Sequence, residues 1–420
     1  MDSRVNGPVI CFLQGPSGFF FWRLSRELKR RGIRTLRINF CAGDRLNWPG
    51  PSTPYRGRPE HWGAFIERFF VESGVTQLML LGEQREYHRI ATDIAHTLGI
   101  TVVVCELGYL RPDWLTLELD GMSGNSRFPR DPQVIRKLAN GLPEPKPEQI
   151  YRNSFAVEAI SDVSFHLANM AFWFLYPHYR SHLLGSPLLG HIGIGLHLLK
   201  SRLGKRKSHA KARDLLLSRQ PYFVFPLQIE NDFQIRAYSP YRSMAEAITE
   251  VMTSFAEHAP PKSVLVIKEH PREIAWLNWR RHCLRLATEL NIRERILHLD
   301  GGSLDELLTN AHGVVTINST SGLQALLLGR PLKVLGQAVF NIEGLACSGS
   351  LDPFWAAPVE TDARLRDDFV RLLAASTQVR GGFYSSQGSR AAIQEFADRL
   401  LSGRINAPLE QIELSEREEH

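Results

Sequence analysis

The sequence predicts an α/β protein made of two doubly wound, Rossmann-like domains with a helical insert between them. Three observations carry this. The chain has 420 residues, too many for one compact core. Its first third and its C-terminal part alternate short apolar runs with amphipathic stretches of about ten to fifteen residues, the rhythm of βαβ units. Between them, Tyr151 to Arg213 lacks that rhythm, after a linker with prolines at Pro143, Pro145 and Pro147.

In order along the chain, Val9–Leu13 reads as a strand, Phe21–Arg31 as a helix stopped by Gly32, and Thr35–Phe40 as a second strand. His61–Ser73 is helical and ends near Gly74, Gln77–Leu81 is a third strand, Tyr87–Leu98 a helix, and Thr101–Cys105 a fourth strand. In the C-terminal part, Tyr222–Pro226, Val264–Lys268, Ile296–Leu299, Val314–Ile317 and Leu332–Leu335 have strand character. Met244–His258, Ile274–Leu290, Leu304–Asn310 and Ser321–Leu328 are the helices between and after them, and Ala363–Ala374 and Arg390–Leu401 close the domain. The expected division is an N-terminal domain over 1–145, an insert over 146–215, a C-terminal domain over 216–405 and a tail over 406–420. Two such sheets facing a cleft, with a helical insert, describe a GT-B-like plan. Ligands are expected where strand ends, loops and helix N-termini converge.

Composition narrows the partners. A hydrophobic fraction of 43% with 22% charged residues excludes wholesale disorder. The net charge of +6 suits anionic partners such as nucleotides, lipid headgroups or acidic glycans, and is too small to demand nucleic acid. The cysteines, Cys11, Cys41, Cys105, Cys283 and Cys347, are odd in number and form no C-x-x-C pair, which fits a reducing cytoplasm. The N-terminus has no signal-peptide pattern. Leu183 to Leu199 is uncharged but broken by Pro187, glycines and histidines, unlike a spanning helix.

Six polar or glycine clusters fall just after apolar runs. Gln14-Gly15-Pro16-Ser17-Gly18 follows the first strand and reads equally as a phosphate-binding loop or an ordinary strand-to-helix turn; it lacks the Lys-Ser/Thr ending of a P-loop. Gly82-Glu83 follows the third strand. Glu106 to Asp113 follows the fourth. Gln228-Ile229-Glu230-Asn231-Asp232 holds two carboxylates and two amides, suited to a base or nucleophile beside hydroxyl-binding groups, or to a solvated turn. Lys268-Glu269-His270-Pro271 puts a cation, a carboxylate and an imidazole at a strand end, where a protonated His270 can meet a departing phosphate. Asn318-Ser319-Thr320-Ser321-Gly322 reads as a capped helix start that binds phosphate through hydroxyls and N–H groups, with Gly322 letting a ligand approach. No acidic D-x-D pair occurs, so no metal requirement and no cofactor are expected.

Taken in order, these stretches resemble the KpsS family of capsule polysaccharide synthesis proteins over nearly the whole chain. The matching segments are Phe12 to Pro16, Arg37 to Phe40 with Gly43-Asp44-Arg45, Tyr87 to Ala91, Glu106 to Asp113, Pro226 to Asp232, Lys268 to Pro271 and Asn318 to Gly322. The resemblance implies a retaining β-Kdo glycosyltransferase of GT-B type. Its donor would be CMP-Kdo and its acceptor phosphatidylglycerol or lysophosphatidylglycerol. A KpsC-type transferase and the capsule export machinery would be its partners, on the inner face of the inner membrane.

The resemblance also assigns roles. Asp232 is the expected nucleophile, His270 the group that assists departure of the CMP phosphate, and Glu106 or Asp113 the base toward the acceptor. Donor binding falls to Gln228, Glu230, Asn231, Lys268, Glu269, Pro271, Asn318, Ser319, Thr320, Ser321 and Gly322. The acceptor side comprises Gln14, Gly15, Arg111 and Asp113. The insert would meet the membrane through the aromatics of Phe172–Tyr176 and the basic run Lys200–Arg213. Two other readings compete: a non-catalytic export or scaffold component, and another GT-B enzyme such as a sialyltransferase or an epimerase.

Overall fold

The structure, a computed structural model, describes residues 7–181, 208–230, 232–271, 273 and 277–409. Asn231, Leu183–Leu199 and the first part of the basic run, 200–207, lie outside the described residues.

The strands are β1 (Val9–Phe12), β2 (Arg34–Asn39), β3 (Thr53–Pro54), β4 (Gln77–Leu81), β5 (Thr101–Leu107), β6 (Trp114–Leu119), β7 (Tyr222–Pro226), β8 (Val264–Lys268), β9 (Ile296–Leu299), β10 (Gly313–Thr316), β11 (Leu332–Val334) and β12 (Gln378–Arg380). They form two sheets, one in each of two compact units.

The first sheet runs β12-β6-β5-β4-β1-β2-β3. From β5 to β3 its pairs are parallel, whereas β6 is antiparallel to both β5 and β12. β1, β4 and β5 are near-continuous apolar runs because helices cover both faces of a parallel sheet. The helix Trp62–Ser73 stops at Gly74, whose φ of 64° is the left-handed cap that glycine adopts without strain. The chain leaves β1 toward β2 on one side and returns beyond it as β4. This reversal opens a crevice at the carboxyl ends of β1 and β4.

The second sheet, β11-β10-β7-β8-β9, is wholly parallel and repeats this order, with its reversal between β7 and β10. Phe223, Phe255 and Trp355 pack edge to face in its core, with ring centroids 5.0 Å apart for Phe223–Trp355 and 5.2 Å for Phe255–Trp355.

The domain boundaries differ from the expected ones. The first unit comprises Met1–Phe128, Gly141–His182 and Val370–His420, and the second Pro129–Asn140 and Leu183–Phe369. The helix Pro132–Ala139 belongs to the second unit, held by an Arg136–Asp362 ion pair of 2.6 Å. The insert is not a domain of its own. Its helix Phe155–Ala171 belongs to the first unit, and a helix over 208–218 to the second, where Ser208 donates to Asp300 at 2.5 Å. The chain's last part returns to the first unit. β12 extends that sheet, and the helix Ser386–Ser402 packs on the helix Phe20–Arg30 through Phe20 and Phe396, 5.5 Å apart, and an Arg31–Asp398 ion pair. Amphipathic helices give no sign of which sheet they cover, so sequence adjacency assigned these to the wrong unit.

Candidate functional site

In the second unit the strand reversal is bridged by an amide pair. β7 ends into Gln228, which is buried, and β10 ends into Asn318. Gln228 Nε2 donates to Asn318 Oδ1 at 2.9 Å, and the Asn318 backbone N–H donates back to Gln228 Oε1 at 3.2 Å. Gln228 Nε2 also reaches Asp232 Oδ2 at 3.2 Å, while Asn318 Nδ2 donates to the Gln234 carbonyl at 2.9 Å. The two amides fix Asp232 at the mouth of the reversal.

Asp232 begins the helix Phe233–Tyr238, its Oδ1 accepting the Gln234 N–H at 3.0 Å. Burial pushes its carboxyl pKa above the usual range, opposed by the hydrogen bonds from Gln234 and Gln228 and the charge of Arg236. A carboxylate poorly solvated but held by donors is oriented and keeps its nucleophilicity.

The helix Thr320–Leu327 starts beside this cluster. Ser319 caps it, its Oγ accepting the Ser321 N–H at 3.2 Å with the Ser321 hydroxyl 3.1 Å away. Ser319, Thr320 and Ser321 are all partly exposed, at the positive end of that helix. Gly322 has a different job from the expected one. A β-carbon there would lie 2.6 Å from Thr316 Cγ2 and 3.0 Å from the Phe340 ring. It lets the helix close onto β10 and is buried from any ligand.

At the end of β8 the cluster splits by depth. Lys268 is buried, donates to the Glu269 carbonyl at 3.2 Å, and has its pKa lowered by burial. Glu269 is buried too, with Oε2 3.4 Å from His298 Nε2. His270 is partly exposed and Pro271 exposed. Glu230 is structural: its carboxylate accepts the Met244 N–H at 2.8 Å, and its own N–H donates to Glu273 at 3.2 Å. Trp279 anchors Glu273 at 3.0 Å.

In the first unit the corresponding crevice holds Gln14, just after β1. Arg85, after β4, donates to Gln14 Oε1 at 3.0 Å, and Gln14 Nε2 donates to Asp44 at 3.2 Å. Asp44 is in turn ion-paired with buried Arg37 at 3.1 Å and accepts the Phe40 N–H at 2.9 Å. Arg37, Asp44 and Arg85 were not among the expected site residues. The signal for Arg37 was a charged residue between Leu36 and Ile38 in β2. Gly15 is glycine for packing, since a β-carbon there would lie 2.5 Å from the Phe21 ring. Glu106 is partly exposed at the end of β5, its Oε2 facing Gly82. Arg111 is exposed at the bend that follows.

Asp113 departs from its expected role on the acceptor side. It is fully buried, binds Arg380 at 2.6 Å, and accepts the backbone N–H groups of Ile150 and Tyr151 at 2.7 and 2.9 Å. It ties the linker to β12 and has no room to act as a base.

Two buried histidines add a pH dependence. Burial pushes His298 down to about 4 and His88, which lies 2.8 Å from the Gly82 carbonyl, down to about 3. The unfolded chain protonates both at about 6.5, whereas the native state resists. Native stability is therefore full above about 6.5 and falls as pH drops toward these values, by up to ~1.4 kcal/mol per unit per histidine. Urea unfolding at about pH 7 and pH 5 should show this loss, reduced in His298→Gln. A loss as large as the wild type's in both His298→Gln and His88→Gln would exclude this origin.

Among the described residues no group of three His, Cys, Asp or Glu is placed to hold a metal ion. A profile described as capsule polysaccharide biosynthesis protein matches residues 76–384, which takes in both units. The chain belongs to this capsule polysaccharide biosynthesis family. It is 32% identical over 382 residues to the capsule polysaccharide export protein KpsS of Escherichia coli, covering 90% of this chain and 98% of that protein. It is 30% identical over 403 residues to the capsule polysaccharide modification protein LipB of Neisseria meningitidis serogroup A, covering 92% and 93%. Among solved structures, the β-Kdo 2,7 transferase KpsC of Thermosulfurimonas dismutans matches at 15% identity with a TM-score of 0.44, over 94% of this chain and 98% of that one. Of the residues expected at the donor side and as nucleophile, Gln228, Asp232 and Asn318 form one hydrogen-bonded cluster; Asn231 lies outside the described residues.

Proposed function

We propose that this chain is a retaining glycosyltransferase that moves Kdo from CMP-Kdo to phosphatidylglycerol or lysophosphatidylglycerol, starting the β-Kdo linker of a capsular polysaccharide. The observation that carries the reading is the Gln228–Asp232–Asn318 cluster at the strand reversal, beside the capped helix start at Ser319. A strand reversal next to a helix N-terminus suits a sugar nucleotide, and a fixed carboxylate there suits a double displacement. In the first step an Asp232 oxygen forms a bond to the anomeric carbon as the bond from that carbon to the CMP phosphate oxygen breaks. The leaving CMP takes the electron pair, and His270 with the Ser319–Ser321 hydroxyls and N–H groups receives its charge. In the second step the acceptor hydroxyl gives its proton to a general base, its oxygen attacks the same carbon, and the bond to the Asp232 oxygen breaks to release the carboxylate.

The protein would work against the inner face of the inner membrane, alongside a KpsC-type transferase and the export machinery. The test is mass spectrometry after mixing the purified chain with CMP-Kdo and short-chain phosphatidylglycerol. The expected product is the acceptor plus one Kdo. Absence of that product together with no calorimetric binding of CMP would give the chain a scaffold role instead.

A further inference from the structure

The helix Phe155–Ala171 packs on the first unit through buried Phe165 and His166, and two of its polar residues add hydrogen bonds: Asp162 accepts the Ser17 hydroxyl at 3.2 Å, and Asn169 accepts the Gly43 N–H at 2.7 Å. Its outer edge carries Ile160, Val163, Leu167 and Met170 at the three- and four-residue spacing of one helical stripe. All four are exposed, Ile160 to 69%. The stripe runs on into exposed Phe172, Trp173 at 66%, and Phe174. Beside it a groove of about 740 Å³ opens between the helix end and the 42–56 segment, its walls mostly apolar but including Arg45 and Arg56. Arg58 and Arg180 line the next hollow, where Glu60 pairs with Arg180 at 3.1 Å. The rim therefore carries four arginines against one carboxylate.

A contiguous apolar face on a soluble surface marks something that covers it. Here the order of chemistry identifies the cover: an aliphatic stripe, then aromatic rings, then arginines. This is the composition of a helix lying in a bilayer interface beside anionic headgroups. The helix has 17 residues, about 25 Å at 1.5 Å each, short of the ~30 Å hydrocarbon core. No helix among the described residues is long and apolar enough to cross a membrane.

We infer that the outer face of Phe155–Ala171, with Phe172–Phe174 and the Arg45–Arg56 groove, seats this chain on an anionic lipid bilayer. The inference deepens the lipid-acceptor half of the proposed function and rests on it only for its biological meaning. Vesicle binding needs no CMP-Kdo, so the two fail separately.

The experiment is co-sedimentation of the full chain with vesicles of phosphatidylcholine alone or mixed with phosphatidylglycerol. Binding should be stronger on the mixed vesicles by about fivefold for each arginine engaged. Emission in the presence of brominated lipid should be quenched, and that quenching should be lost in Trp173→Phe. Ile160→Glu combined with Leu167→Glu should weaken vesicle binding at least ~10-fold, the loss of roughly two buried side chains, while keeping the far-ultraviolet spectrum and transfer to a short-chain soluble acceptor. Arg45→Gln with Arg56→Gln should reduce the phosphatidylglycerol preference. Wild-type protein that ignores both vesicle types, or a double glutamate variant that binds as well as wild type, overturns the inference. So does a wild-type dimer that the glutamate variant converts to monomer, because the face would then belong to a second copy.

Discussion

Asp232→Asn should lower Kdo transfer from CMP-Kdo by about a thousandfold or more while leaving the protein folded. The substitution separates chemistry from architecture. Asp232 caps the helix Phe233–Tyr238 through the Gln234 N–H, and asparagine caps a helix as well as aspartate does. Its single oxygen serves that cap, so only the hydrogen bond from Gln228 Nε2 to the second Asp232 oxygen is given up, about 1 kcal/mol. What it cannot do is form the glycosyl ester, since a neutral amide oxygen is a poor nucleophile and leaves no stable carboxylate on release. The measurement is single-turnover product formation with thermal unfolding run in parallel. Full turnover in a folded Asp232→Asn protein would remove the residue from the nucleophile's place. A matched loss of Tm and activity would make it a cap only.

Asp113→Ala should be the most damaging single change to stability, on the order of 3–5 kcal/mol. The deletion takes from the Arg380 guanidinium, which stacks over Trp114, its 2.6 Å ion pair and leaves it only the Lys146 and Glu148 carbonyls. It leaves the N–H groups of Ile150 and Tyr151 without their acceptor. Three partners lose one buried carboxylate. Chemical denaturation of Asp113→Ala against Asp113→Asn checks it: asparagine keeps an acceptor and should recover part of the loss. A shift below about 0.5 kcal/mol, the ordinary surface value, would mean that the linker is held by other contacts.

The parallel cores were open to reading from the chain alone. Tyr222–Pro226, Val264–Lys268 and Ile296–Leu299 are strands from end to end as expected, because strands covered on both faces become unbroken apolar runs. β6 was missed since the βαβ rhythm calls for a helix after β5, and β12 because Gln-Val-Arg is too short and polar to stand out. At the site, Gln228, Asp232 and Asn318 were recognisable as polar residues just past apolar runs. Their meeting across 90 residues depends on the strand reversal, which no local pattern encodes. Gly15 and Gly322 show the opposite failure: each looked like a door for a ligand, and each is the space an aromatic ring or a strand needs. Gln14 was expected on the acceptor side, but its partners Asp44 and Arg37 were hidden, because an arginine in a strand announces burial only once its partner is known.

The first unit is assembled from both ends of the chain. β12 pairs with β6, and Phe396 reaches Phe20, across a stretch that contains nearly all of the second unit. During synthesis the N-terminal sheet must therefore wait, with one edge unpaired and Phe20 uncovered, until about 260 more residues have emerged, on the order of tens of seconds at 5–20 residues per second. The second unit, whose described strands lie in one continuous stretch, can form first. The order of birth along the ribosome thus runs against the order of completion: the domain that starts the protein is the last to be finished.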